Sequence, residues 1–128
     1  IDRLKSVEVS TQKNATLFKA FLHYSNEKMA FKNPDGVYEL ANQAYIELFQ
    51  LSKIEEIQGK TDFDFLESES ARSAYSLEQQ LILERKQLND KLCTLVLKNN
   101  VHKHVSLSKI PIYDELNNPL GVVIIANV

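Results

Sequence analysis

The chain has 128 residues, 44% hydrophobic and 25% charged, with a formal net charge of -2. That is enough for one domain with its own core, and a charge so near balance excludes an electrostatic footprint for nucleic acid or an anionic membrane. A single cysteine, Cys93, excludes an internal disulfide framework and fits a reducing compartment.

In chain order, residues 1–9 read as the tail of a linker or connecting helix. From Ser10 to Tyr24, Leu17, Phe18, Phe21 and Leu22 form an apolar stripe at helical spacing, with Ser10 or Thr11 as the cap. Met29 to Phe31 and Val37 to Leu40 read as two strands of a hairpin. Between them Asn33, Pro34, Asp35 and Gly36 suit a type I turn followed by a left-handed residue. The period then switches, because Ala41, Ala44, Tyr45, Leu48 and Phe49 fall at helical intervals with Asn42 placed to cap them. Ser52 to Ile57 suggests a second short helix, capped by Ser52 and ended by Gly59. In "GKTDFDFL", Asp62 and Asp64 read as caps beside Phe63, Phe65 and Leu66. A longer helix follows from about Ser70 to Arg85, with Ala74, Leu77 and Leu81 on one face and Tyr75 and Ile82 beside it.

The last third reads as strands. Lys91 to Leu97 and Val101 to Ile112 flank Asn99 and Asn100, which suit a two-residue hairpin turn, and Pro111 should fall near a strand end. "DELNNP" turns the chain into a final strand, Leu120 to Val128, whose longest apolar run is far short of a membrane span. The fold class is therefore α+β: five antiparallel strands with the helices inserted between the second and third, packed on one sheet face. "LGVVIIANV" is apolar on both faces, so the leading helix, alone or with a second copy, is the expected cover for the other face. The first residue is not Met and Val128 ends within a strand-like pattern, so the chain is expected to be an excised domain, with a linker and amphipathic helix over 1–25 and the sheet domain over 26–128.

"FKNPDGVYELANQAYIELF", then "GKTDFDF", a connecting helix and a closing "KIPIYDELNNPLGVVII" resemble a PAS domain, the sensor and interaction module of bacterial signalling proteins. The resemblance covers roughly residues 27–128 and lies in the order of segments. It implies a five-stranded antiparallel sheet, helices over one face enclosing a pocket, and a leading helix that dimerises. Light-sensing flavin members carry a reactive Cys near the segment matching residues 62–67, and haem-binding members an axial His on the long helix. Neither residue stands there, so the cofactor is unknown, haem and covalent flavin are not expected, and the purified domain should be colourless.

Other constellations have plainer explanations. Cys93 reads as a small apolar core residue. His102 and His104 share a strand face but lack a third ligand, so no metal is expected. "GKT" at Gly59 to Thr61 lacks the leading glycine of a phosphate loop, since Ile54 stands there. Asp62 and Asp64, with Glu67 and Glu69, read as caps and a solvated helix start. Tyr45, Phe49, Phe63, Phe65, Tyr75, Leu95, Val105, Leu107 and Val123 are the candidate walls of an apolar ligand pocket. The same residues can also simply fill the core.

These readings lead to a non-enzymatic, cytoplasmic sensory domain of a larger protein, with a histidine kinase, diguanylate cyclase or DNA-binding output. It would bind a small molecule and pair as a homodimer through Leu17, Phe18, Phe21 and Leu22, without contacting nucleic acid or membrane itself. A ligand-free dimerisation scaffold is the alternative.

Overall fold

The computed structural model describes Lys19, Ala20, Leu22 and residues 25–128. Strands β1 (Lys28–Lys32) and β2 (Tyr38–Ala41) lead into helix α1 (Gln43–Leu48), then two 3-10 turns, Ile54–Glu56 and Asp62–Asp64, and the long helix α2 (Ser68–Glu84). Strands β3 (Leu88–Val96), β4 (His102–Tyr113) and β5 (Pro119–Asn127) complete a five-stranded antiparallel sheet in the order β2-β1-β5-β4-β3. The most apolar strand, β5, lies in the middle of the sheet, and β3, exposed at five of its nine positions, lies at an edge, where water can solvate it.

All three hairpins use one turn. At Asn33, Leu97 and Asp114 the backbone N–H donates to the carbonyl four residues on, and the carbonyl accepts from the N–H three residues on. The residue in that third place is left-handed each time: Gly36 (φ 82°), Asn100 (φ 65°) and Asn117 (φ 66°). Only glycine and asparagine adopt that conformation cheaply, which is why they stand there. Asn33 Oδ1 also accepts from Asp35 and Val37, and Asp114 Oδ1 from Leu116 and Asn118. The backbone N–H of Asn118 leads the donors that hold the Asp114 carboxyl below its usual range. The β3–β4 loop is thus three residues, Lys98 to Asn100, instead of the expected two.

Asn42 caps α1 as its spacing predicts, accepting from the backbone of Tyr45 at 2.9 Å. It also accepts from Met29 and donates to the Glu27 carbonyl, so a buried cap ties the helix start to β1. Ser52 does not cap the next turn. Its backbone N–H and that of Lys53 both donate to the Glu56 carboxylate, because a 3-10 turn this short starts at Lys53 and leaves the Ser52 hydroxyl outside it. Thr61, one residue earlier than expected, caps Asp62–Asp64, and Asp64 returns a bond to the Thr61 N–H. Asp62 is no cap: it is buried. Helix α2 begins two residues before Ser70, with Glu67 as its cap, and ends at the left-handed Arg85.

Inward-facing residues of the sheet, among them Ala30, Val105, Leu107, Val122, Ile124 and Ala126, pack against α1 and α2. Tyr38, Tyr45, Phe49 and Phe65 form a chain of edge-on, tilted and stacked rings beneath α1. On the other face Phe31, Val123 and Ile110 stand in register across β1, β5 and β4, all half-buried. Of the stripe expected to cover that face, Leu17, Phe18 and Phe21 lie outside the described residues, and Leu22 is half-buried.

Gly121 fixes how closely β5 and β1 approach. Its φ is 145°, and a Cβ there would lie 2.0 Å from the Lys32 carbonyl oxygen. Gly121→Ala should therefore destabilise the fold by about 2–5 kcal/mol in urea titrations, since it adds a clash to backbone strain. Gly59 also has positive φ, but has open space around its Cβ direction, so Gly59→Ala should cost only about 1–2 kcal/mol.

Candidate functional site

Charges occupy three positions where the sequence periods call for apolar residues. Lys32 follows Ala30 on the inward face of β1, Lys109 follows Val105 and Leu107 on β4, and Glu78 interrupts the α2 stripe of Ala71, Ala74 and Leu81. Asp62 joins them from its 3-10 turn. Lys32, Glu78 and Lys109 are each 3% exposed and Asp62 is 7% exposed.

They form one chain of contacts. Lys32 Nζ donates to Asp62 Oδ2 at 2.5 Å and to Glu78 Oε2 at 2.9 Å, and Lys109 Nζ donates to Glu78 Oε2 at 2.7 Å. The Tyr38 hydroxyl donates to Asp62 Oδ1 at 2.5 Å. Its single proton is then used, so in the 2.7 Å contact between the two hydroxyls Tyr45 donates to Tyr38. The Lys32 ammonium also lies 5.0 Å from the centre of the Tyr38 ring. Two ammonium groups face two carboxylates, so the buried cluster balances.

Burial alone would push the Lys32 ammonium toward neutrality, but Asp62 and then Glu78 outweigh it and carry its pKa well above the usual lysine value. Burial, reinforced by Asp62, holds the Tyr38 hydroxyl protonated far into alkali. Burial does the same for Tyr45 against the opposing pull of Lys32.

Two cavities flank this cluster. One, a cleft of about 360 Å³, opens between α2 and the β3–β4 pair. Leu77, Leu88, Leu95 and Leu107 give it apolar walls, Lys109 a buried cation, and Glu67, Glu69 and Lys91 charges at exposed positions. The other, about 170 Å³, lies between the β1–β2 hairpin, the Asp62–Asp64 turn and α2, with Lys32, Asp62 and Glu78 among its lining. Phe63 and Tyr75 line it as well, 45% and 40% exposed.

The nine residues expected to share one pocket are therefore divided. Leu95 and Leu107 line the cleft, and Phe63 and Tyr75 the smaller cavity. Tyr45, Phe49, Phe65 and Val105 pack into the core or against it. Val123 points to the opposite sheet face, because its neighbours Val122 and Ile124 take the inward positions of β5 and successive side chains alternate. Cys93 is a half-buried free thiol that packs against the core and also lines the cleft, and burial pushes its pKa up against the pull of Lys109 and Lys91. His102 and His104 are exposed on β4, the latter paired with Thr94. Among the described residues no group of three or more His, Cys, Asp or Glu is placed to hold a metal, and no helix is long and apolar enough to cross a membrane.

Removing one member of the cluster leaves its partner charged and buried, so Glu78→Gln should destabilise the fold by about 3–5 kcal/mol in chemical denaturation. The alkaline response follows from the raised pKa values. Lys32, Tyr38 and Tyr45 keep protons that the unfolded chain releases, so their contribution is complete below about pH 10 and is lost as pH rises beyond it. Tyrosinate absorbance should show a step that coincides with the loss of circular dichroism. Replacing Tyr38 and Tyr45 with Phe should remove that step.

A family model described as the PAS fold matches residues 22–128. No curated protein matches the sequence significantly. Among solved structures, the VqmA–ligand–DNA complex of Vibrio cholerae superposes with a TM-score of 0.73 at 20% identity, over 84% of this chain and 48% of that one. VqmA bound to DPO gives the same score and identity, over 84% and 55%. The PAS domain of BvgS from Bordetella pertussis gives 0.70 at 18% identity, over 89% and 85%. DhaR(N) in complex with DhaL from Escherichia coli gives 0.71 at 14% identity, over 98% and 38%. The chain thus spans about half the length of the VqmA chains it resembles. With five antiparallel strands in the order β2-β1-β5-β4-β3 and a family match across residues 22–128, the chain belongs to the PAS fold family.

Proposed function

We propose that this PAS domain is the sensory module of a larger regulatory protein, non-enzymatic itself, and that it takes a small molecule in the cleft between α2 and the β3–β4 pair. The observation that carries the reading is the cleft: about 360 Å³, walled by leucines, with one buried cation among them. Small-molecule sites have this size and this composition, apolar walls with a few polar groups that fix orientation. The VqmA structure bound to DPO supports the reading at the level of a shared fold. The ligand needs neither haem nor a covalently attached flavin.

In this reading the occupied cleft biases α2, and the buried cluster passes the bias through Glu78 and Lys32 to β1. From there it reaches the segment before β1, whose stripe of Leu17, Phe18, Phe21 and Leu22 is the proposed pairing surface of a cytoplasmic homodimer. A histidine kinase, diguanylate cyclase or DNA-binding unit in the same polypeptide is the proposed recipient.

A metabolite screen by thermal melting tests this. A true ligand should raise Tm by about 10 °C at a hundredfold excess over its Kd, because it binds only the folded state. Ser73 is an exposed residue on the cleft wall, so Ser73→Trp should block entry and abolish the rise while leaving the unliganded Tm within about 2 °C, as surface substitutions do. A screen without hits, with Ser73→Trp leaving signalling by the full-length protein unchanged, would favour the ligand-free scaffold.

A further inference from the structure

We propose that the cleft is built for a monocarboxylate with an apolar body, held by the ammonium of Lys109. The proposal rests on the cleft being the ligand site and names what the site selects.

The first support is the donor inventory of the buried cluster. An ammonium group has three N–H donors. Lys32 spends its donors on Asp62 and on both oxygens of Glu78. Lys109 has one acceptor among the described residues, Glu78 Oε2, although it is as deeply buried as Lys32. A buried ammonium is costly unless its donors are used. Lys109 is also the one member of the ion cluster that lines the cleft. Its remaining donor capacity therefore belongs to the cleft wall, where a carboxylate oxygen can take a short, charge-assisted bond.

Charge supplies the second support. The buried cluster is balanced, with Lys32 and Lys109 against Asp62 and Glu78. Lys91 adds a positive charge to the same cleft, on the strand facing Leu107. A single ligand carboxylate held at Lys109 therefore has a second ammonium group, Lys91, in the same cleft. The exposed carboxylates Glu67 and Glu69, also on the cleft wall, repel a second one carried at the ligand's far end. The leucine walls set the rest of the molecule, an aromatic ring or a short aliphatic chain, since they offer area and no directed bonds.

Calorimetry and NMR titration of the unaltered protein with benzoate, phenylacetate and hexanoate, each beside its neutral amide, test the proposal. At least one carboxylate should bind about tenfold tighter than its amide or better, the scale of one charge-assisted bond, and terephthalate should bind more weakly than benzoate. Lys109→Gln should bring acid and amide to equal affinity. Lys91→Gln, at an exposed position, should weaken the acid a few-fold without changing Tm. Should Lys109→Gln fail to fold, the acid–amide comparison on the unaltered protein decides alone. Amides binding as tightly as acids would overturn the choice of a carboxylate while leaving the cleft a ligand site. If none of these compounds binds, the carboxylate assignment is overturned, and the metabolite screen with Ser73→Trp judges the cleft independently.

Discussion

The ion pairs joining Lys32, Asp62, Glu78 and Lys109 are the constraint on which the domain's interior depends. Each ion loses several kcal/mol of hydration on burial, and its partners in the cluster, with the Tyr38 hydroxyl on Asp62, offset that loss. The four residues come from β1, the Asp62–Asp64 turn, α2 and β4. None of these elements can shift by the length of a hydrogen bond without stranding a charge. The aromatic chain beneath α1 joins the same point, because Tyr45 donates to Tyr38 and Tyr38 to Asp62.

The helix is held along its length by separate contacts. In its C-terminal half, Gln79 donates to the Pro34 carbonyl in the β1–β2 hairpin at 2.6 Å. At the C-terminal end, Arg85 stacks on Tyr113 at 4.2 Å and donates to the Asn117 carbonyl, while Tyr113 donates to the Ile82 carbonyl. The start of α2 is tied to the β3 edge, where the Glu67 N–H donates to Val96 and the Lys98 N–H to Phe65. Three of these anchors are hairpins of the shared left-handed turn, whose shape is set by Gly36, Asn100 and Asn117. Turn chemistry and buried charge thus fix one helix over two cavities.

The order of elements was legible because it depends on local signals. The turn residues 33–36 and the Asn42 cap each act within a few residues, and each does so in the structure, whereas the change of period falls one residue later than expected, because Ala41 still pairs with Ala30 as the end of β2. The division of the pocket residues was not legible, since which wall a side chain joins is set by how α2 lies across the sheet. Val123 shows a narrower failure: on a strand apolar on both faces from Leu120 to Ala126, alternation does not say which face is inside. The charge cluster had left a signal. Lys32, Glu78 and Lys109 each stand in step with apolar neighbours at strand or helix spacing, and a charge in step with the core is either an error of register or a buried ion with a partner. Asp62 had no such signal, because a three-residue turn has no period.

An apolar quartet of the same volume would hold these layers as firmly, since replacing buried ions with well-packed hydrocarbon is often neutral or stabilising. Stability alone therefore does not account for the cluster. What ions add is direction. Leucines tolerate a small rotation of α2 with little loss, whereas Glu78 between Lys32 and Lys109 tolerates almost none, because Oε2 meets both ammonium groups, at 2.9 and 2.7 Å. Glu78 lines the smaller cavity with Lys32, and its Oε2 meets Lys109, which lines the cleft. A new acceptor at Lys109 must share the ammonium with Glu78, and Glu78 can compensate only by leaning on Lys32. Arranged this way, the charges that fix the helix are also the shortest physical route from the cleft to β1.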